Sequence, residues 1–129
     1  MLKAIIIDGN AMSRGLLNTV LAEGGYEVVA QTHVAHTGFA LMQKHRPQLL
    51  CIAREQMEDG DDIVRQVRRE LPKTIIFLVS GAIDAATLQA ALAAGVQGFI
   101  VKPFKADAVL KTIRNTVIAT IRKQQAQDG

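Results

Sequence analysis

Five short apolar runs divide the chain: Ala4–Ile5–Ile6–Ile7, Glu27–Val28–Val29–Ala30, Leu49 to Ala53, Thr74 to Val79, and Gly98–Phe99–Ile100–Val101. The first, third and fourth are continuous and rich in branched residues, the pattern of strands covered on both faces, as in a parallel sheet. Between the runs, apolar residues recur at helical spacing. Met12, Leu16, Leu17, Val20 and Leu21 make one stripe, and Ala35, Phe39 and Met42 the next. Ile63, Val64, Val67 and Leu71 make a third, Leu88, Ala91 and Leu92 a fourth, and Val109, Leu110, Ile113, Val117 and Ile121 the last. Gly24–Gly25 and Gly95 stand just past two of these helices, where a left-handed cap is wanted, and Pro47 and Pro72 close two others. Residues 1–122 therefore read as one βαβαβαβαβα domain, and 123–129 as a polar tail, expected to be frayed. Parallel strands joined by right-handed crossover helices predict an open, doubly wound α/β sheet of strand order 2-1-3-4-5. In such a sheet the site lies at the carboxyl ends of the strands, beside the switch between strands 1 and 3. The residues gathered there are Asp8, Gly9, Asn10, Ala53, Arg54, Ser80, Gly81 and Lys102.

Composition narrows the class. A chain of 129 residues builds an ordinary core without staples. Its single cysteine, Cys51, excludes an internal disulfide, fits a reducing compartment, and is read as a small core residue. No apolar run reaches membrane-spanning length, and Met1–Leu2–Lys3 opens only a short run that Asp8 ends, so neither a membrane span nor a signal peptide is expected and the protein is placed in the cytoplasm. The formal net charge of +3 comes from lysines and arginines spread along the helices. They read as solvated faces rather than a nucleic-acid stripe. With no Trp and only Tyr26 and four Phe, base stacking is poorly supplied.

The third strand ends oddly. It opens into a run of carboxylates, Glu55, Glu58, Asp59, Asp61 and Asp62, yet the residue that leaves it is Ala53. Asp59, Asp61 and Asp62 read as the acidic start of the third helix, favoured there by the helix dipole. His33 and His36 have helical spacing but no third ligand nearby, and with His45 they read as surface residues.

These residues resemble the receiver domain of two-component response regulators, over nearly the whole chain. Asp8–Gly9–Asn10, with Arg14 and Leu17 behind it, is similar to the acidic opening of that family. Ser80–Gly81 matches its hydroxyl position, and Ala94–Gly95–Val96–Gln97–Gly98–Phe99–Ile100–Val101–Lys102–Pro103–Phe104 is close to its end signature. The resemblance implies a flavodoxin-like (βα)5 fold. In the family a carboxylate at the end of strand 3 takes a phosphoryl group from a phosphohistidine, and two acidic residues after strand 1 hold magnesium. The lysine and the hydroxyl contact the acyl phosphate.

Two departures stand out. Ala53 occupies the phosphoacceptor position, and Gly9 the second metal-binding position, leaving Asp8 as the only metal candidate. The resemblance thus implies a pseudo-receiver, a signalling and interaction module with no catalysis of its own. It would work without aspartyl phosphorylation and without a magnesium cofactor. Asp8, Gly9, Ala53, Ser80 and Lys102 are then remnants of a phosphorylation site. Asp8 and Lys102 are expected to pair, with Arg54 as a competitor for Asp8. Ser80 is expected to cap the turn before the fourth helix, and Phe99 stands at the family's switch aromatic. The expected working face is the fourth helix, fifth strand and last helix. It would meet a partner of a two-component pathway or a second copy, with Lys102, Lys105, Lys111 and Arg114 as a charged rim. Two alternatives are a receiver with residual metal binding through Asp8, and a flavodoxin-like domain that binds a cofactor or catalyses. Against the second, the loop Asp8 to Gly15 (DGNAMSRG) is no glycine-rich phosphate cradle, and no Trp or Tyr stands there to sandwich a flavin.

Overall fold

The computed structural model describes residues 1–57 and 62–128, and of Asp128 the backbone only. Glu58, Asp59, Gly60, Asp61 and Gly129 lie outside the described residues, and with them the reading of Asp59 and Asp61 as a helix start. The elements in chain order are β1 (Lys3–Ile7), α1 (Ala11–Glu23), β2 (Glu27–Thr32), α2 (Ala35–His45), β3 (Leu49–Ala53), α3 (Arg54–Met57), α4 (Ile63–Glu70), β4 (Ile75–Ser80), α5 (Ala85–Ala94), β5 (Gly98–Val101) and α6 (Ala106–Asp128). The five strands form one parallel sheet of order β2-β1-β3-β4-β5, as the sequence predicts.

Both faces of this sheet are covered, which is why its central strands are continuously apolar. Side chains alternate sides along each strand. Ile5, Ile7, Leu50, Ile52, Ile76 and Leu78 pack with Met42, Val64, Val67 and Ala91 of α2, α4 and α5. Ala4, Ile6, Leu49, Cys51, Phe77 and Val79 pack on the other side with Leu17 and Leu21 of α1 and Val109 and Ile113 of α6. Cys51 is fully buried in that second core, and burial pushes its thiol up to about 12, so it is an inert packing residue.

The caps follow local chemistry. Asn10 accepts from the Ser13 N–H at 2.9 Å to start α1, and Asp84 accepts from the Thr87 N–H at 2.7 Å to start α5. Gly95, at φ 116, ends α5 in the left-handed region that glycine tolerates. Three features differ from the sequence reading. A short helix, α3, follows β3 directly. Asp62 precedes α4 in a left-handed conformation, φ 47, and its carboxylate pairs with Arg65 at 3.2 Å instead of capping the helix. The expected frayed tail is helical: α6 runs on to Asp128. Lys123, Gln124, Gln125, Ala126 and Gln127 are polar or small, but they are good helix formers with no proline or glycine among them, and propensity outweighs polarity there.

Candidate functional site

At the carboxyl edge of the sheet, Asp8 follows β1, Ala53 ends β3, Ser80 ends β4 and Lys102 follows β5. The register of the strands brings these four ends together. Ala53 lies opposite Val79, Ser80 lies opposite Val101, and the Lys102 N–H donates to the Ser80 carbonyl at 2.9 Å.

Asp8 is the centre of the polar contacts. It is 4% exposed, and each carboxylate oxygen has a partner. Oδ1 accepts from the Asn10 N–H at 2.9 Å, and Oδ2 is 3.3 Å from the Lys102 ammonium. The Arg14 guanidinium donates to the Asp8 backbone carbonyl at 2.7 Å, fixing the loop from the α1 side. The expected Asp8–Lys102 pair is therefore formed. The Arg54 charge acts on Asp84. That carboxyl is held below its usual range first by the Thr87 N–H, then by the Thr87 hydroxyl, with the Arg54 charge adding to both.

Ala53 is 1% exposed, so its methyl group is packed at the strand end and offers no oxygen to the cleft. The Ser80 hydroxyl donates to the Ala82 carbonyl at 2.7 Å and accepts from the Ala82 N–H at 3.3 Å. It closes the turn before α5, as expected, while Asp84 caps the helix itself. Phe99 is half-buried against the α2, α4 and α5 side of the core.

One residue of the site escaped sequence reasoning. The Gln56 side chain accepts from the Ala35 N–H at 3.0 Å and donates from Nε2 to the His33 carbonyl at 3.1 Å. It therefore straps α3 to the start of α2. A Cβ built on Gly9 would stand 3.4 Å from Gln56 Nε2, so the amide faces the space that a side chain at position 9 would enter. The signal was an absence in the sequence. Val34 sits at the N-cap of α2 with no side-chain oxygen, so the helix start needs an acceptor from elsewhere. His33 and His36 are exposed. Among the described residues, no three His, Cys, Asp or Glu side chains come together as metal ligands would.

The pattern of the response regulator receiver domain matches residues 4–114. The chemotaxis protein CheY of Bacillus subtilis (strain 168) is 28% identical over 116 residues, covering 89% of this chain and 97% of that protein. Among solved structures, the chemotaxis protein CheY4 of Vibrio cholerae superposes with a TM-score of 0.80 at 25% identity, over 90% of this chain and 98% of that one. The signal receiver domain of the response regulator NarL from Mycobacterium tuberculosis has the same fold, with a TM-score of 0.81 at 20% identity over 90% and 95% of the two chains.

Proposed function

Because this chain belongs to the response regulator receiver domain family, we propose that it is a pseudo-receiver: a cytoplasmic protein-interaction module of a two-component pathway that works without aspartyl phosphorylation. The observation that carries this is the end of β3. Ala53 is buried there, and the lysine expected to face an acceptor carboxylate stands 3.3 Å from Asp8 instead. A methyl group cannot form an acyl phosphate.

The described residues do not fit magnesium either. A hard divalent cation wants several oxygen ligands. Asp8 already faces an ammonium, Gly9 supplies no side-chain oxygen, and the nearest side-chain atom to the Gly9 space is the amide nitrogen of Gln56. Lys102 takes the charge-balancing place beside Asp8. The pair holds the site in one state, and signalling depends on what binds the domain.

The test is direct. After incubation with a small phosphodonor and magnesium, the intact mass of the protein is expected to be unchanged. A stoichiometric, hydroxylamine-labile phosphoryl adduct would sink the reading and point to another carboxylate.

The working face in this reading is α5, β5 and α6. Helix α5 (AATLQAALAA) has no charged residue and buries only Thr87 and Ala91. Leu88 is 37% exposed, Leu92 52% and Val101 53%. A helix without charged residues meets its own copy around a two-fold axis without like-charge repulsion at the centre of the contact, so the occupant we assign is a second copy of this chain. Burial raises the Tyr26 phenol while the Arg114 charge lowers it, so that charge reaches the residue just before β2. Sedimentation is expected to show a dimer for the parent and a monomer for Ala85→Glu/Leu88→Glu. A parent that sediments as a monomer at every concentration rules the second copy out and leaves a pathway partner as the occupant.

A further inference from the structure

The opposite end of the sheet, away from Asp8 and Lys102, has its own chemistry. Two clefts lie there and share Pro72 and Lys73 as walls, so they meet at the turn between α4 and β4. The larger, of about 900 Å³, runs along the C-terminal half of α6 and past the turn between α5 and β5. The smaller, of about 430 Å³, continues to the turn between α2 and β3.

Charge in this groove has one sign. Arg68, Lys73 and Lys123 line the larger cleft, Arg46 and Lys73 the smaller, and no carboxylate among the described residues lines either. None of these four cations forms an ion pair among the described residues. Arg68 makes this plain. Its guanidinium donates to the Pro72 carbonyl at 2.8 Å, the Gly95 carbonyl at 2.8 Å and the Gln97 side-chain oxygen at 2.7 Å. These bonds fix the wall, but every acceptor is neutral, so the positive charge stays uncompensated at a half-buried position. Helix C-termini do favour cations, which accounts for Arg68 near the end of α4. It does not account for Lys73, beyond that helix, or for Lys123 on α6, which come to the same groove from separate elements.

The shape is elongated. From α6, Asn115, Thr120, Gln124 and Gln127 face it, a stripe that spans twelve residues or about 18 Å at 1.5 Å per residue. That length matches about five residues of extended chain. Amide and hydroxyl side chains in a row suit the alternating donors and acceptors of a peptide backbone. No aromatic side chain lines either cleft, so a nucleobase would find no stacking platform.

We propose that this basic groove docks an extended acidic segment of a protein partner. The groove borders the α5, β5 and α6 face, sharing Leu92 and the outer part of α6 with it, but its cations stand at the opposite end of the sheet from position 53. The cations steer and orient the segment, so binding weakens with salt.

The probe is a fluorescein-labelled ten-residue peptide of alternating Glu and Ser, followed by anisotropy. The parent is expected to bind it saturably and more weakly as salt rises. Lys73→Glu/Lys123→Glu is expected to bind at least about tenfold more weakly. Lys111→Glu/Arg114→Glu makes the same change in net charge on a part of α6 outside the groove, and should stay within about threefold of the parent. Arg68 is left intact because its bonds hold two turns together. If the double reversal at 73 and 123 fails to fold, Lys73→Gln/Lys123→Gln is measured in its place, with the same direction of effect. The proposal is overturned if the parent shows no saturable binding. It is also overturned if both pairs of reversals weaken binding equally, or if a labelled oligonucleotide of equal charge binds more tightly than the peptide. None of these outcomes bears on whether position 53 is phosphorylated.

Discussion

Asp8→Ala is expected to lower the unfolding free energy by about 3 kcal/mol, the lower end of the range for breaking a buried ion pair, because Lys102 is a quarter exposed and retains some water. The loss has two parts. The Lys102 ammonium is left without its counter-charge, and the Asn10 N–H loses its acceptor at 2.9 Å. Lys102→Ala removes the other partner and leaves a carboxylate that is only 6% exposed in its side chain. Both single variants should therefore fall in chemical denaturation, and the double variant should lose clearly less than their sum. Additivity within about 0.5 kcal/mol would show that the two residues do not interact, whatever their separation. Lys102→Met is a useful companion. It keeps the packing of the aliphatic stem and removes the charge, so a small effect would assign the stability to packing.

Restoring the phosphoacceptor alone is expected to fall far short of restoring its chemistry. Ala53→Asp puts a carboxylate at the end of β3, but in the proposed reading Gly9 still leaves the second metal-binding position without a carboxylate. Metal neutralisation of phosphoryl oxygens contributes several kcal/mol to such transfers, and about 3 kcal/mol corresponds to roughly 100-fold in rate. Ala53→Asp should thus accept phosphoryl from a small donor in magnesium at least about 100-fold more slowly than Ala53→Asp/Gly9→Asp. The second change is sterically mild. The new Cβ would stand 3.4 Å from Gln56 Nε2, the end of a side chain that can yield. Hydroxylamine-labile incorporation followed by mass over time gives the two rates. Equal rates would mean that the loss at position 9 is immaterial and that Ala53 alone silences the site. Thermal unfolding of both variants guards against reading misfolding as slow chemistry.

For the site, the sequence placed the positions and the structure chose the partners. That Asp8, Ala53, Ser80 and Lys102 meet follows from strand order, because each stands at or just past the carboxyl end of a strand. That neither Ala53 nor Gly9 carries a side-chain oxygen needs no coordinates. Lys102 and Arg54 were both candidate partners of Asp8, and only the packed loops bring the Lys102 ammonium to 3.3 Å from the Asp8 carboxylate. Gln56 was invisible for the same reason. Its two bonds reach residues more than twenty positions away in sequence, His33 and Ala35, and nothing local marks a glutamine as their partner.

The fold divides along the same line. Continuous apolar runs at β1, β3 and β4, helical stripes between them, and glycines or prolines past the helix ends fixed the element order, because these signals are local and repeat at the periods of strand and helix. Chirality and short crossovers then pruned the sheet orders to a handful, among which 2-1-3-4-5 was the expected one. What sequence alone could not settle were contacts between distant segments. The lysines and arginines read as scattered along the chain, yet Arg46, Arg68, Lys73 and Lys123 come from four separate parts of it and line one groove with no carboxylate among the described residues. The Arg114 charge acts on Tyr26, just before β2, while Val109 and Ile113 of the same helix enter the core. Local periodicity determines which face of an element is buried, whereas side-chain partners depend on how whole elements are turned against each other, and that is decided only when the two cores close.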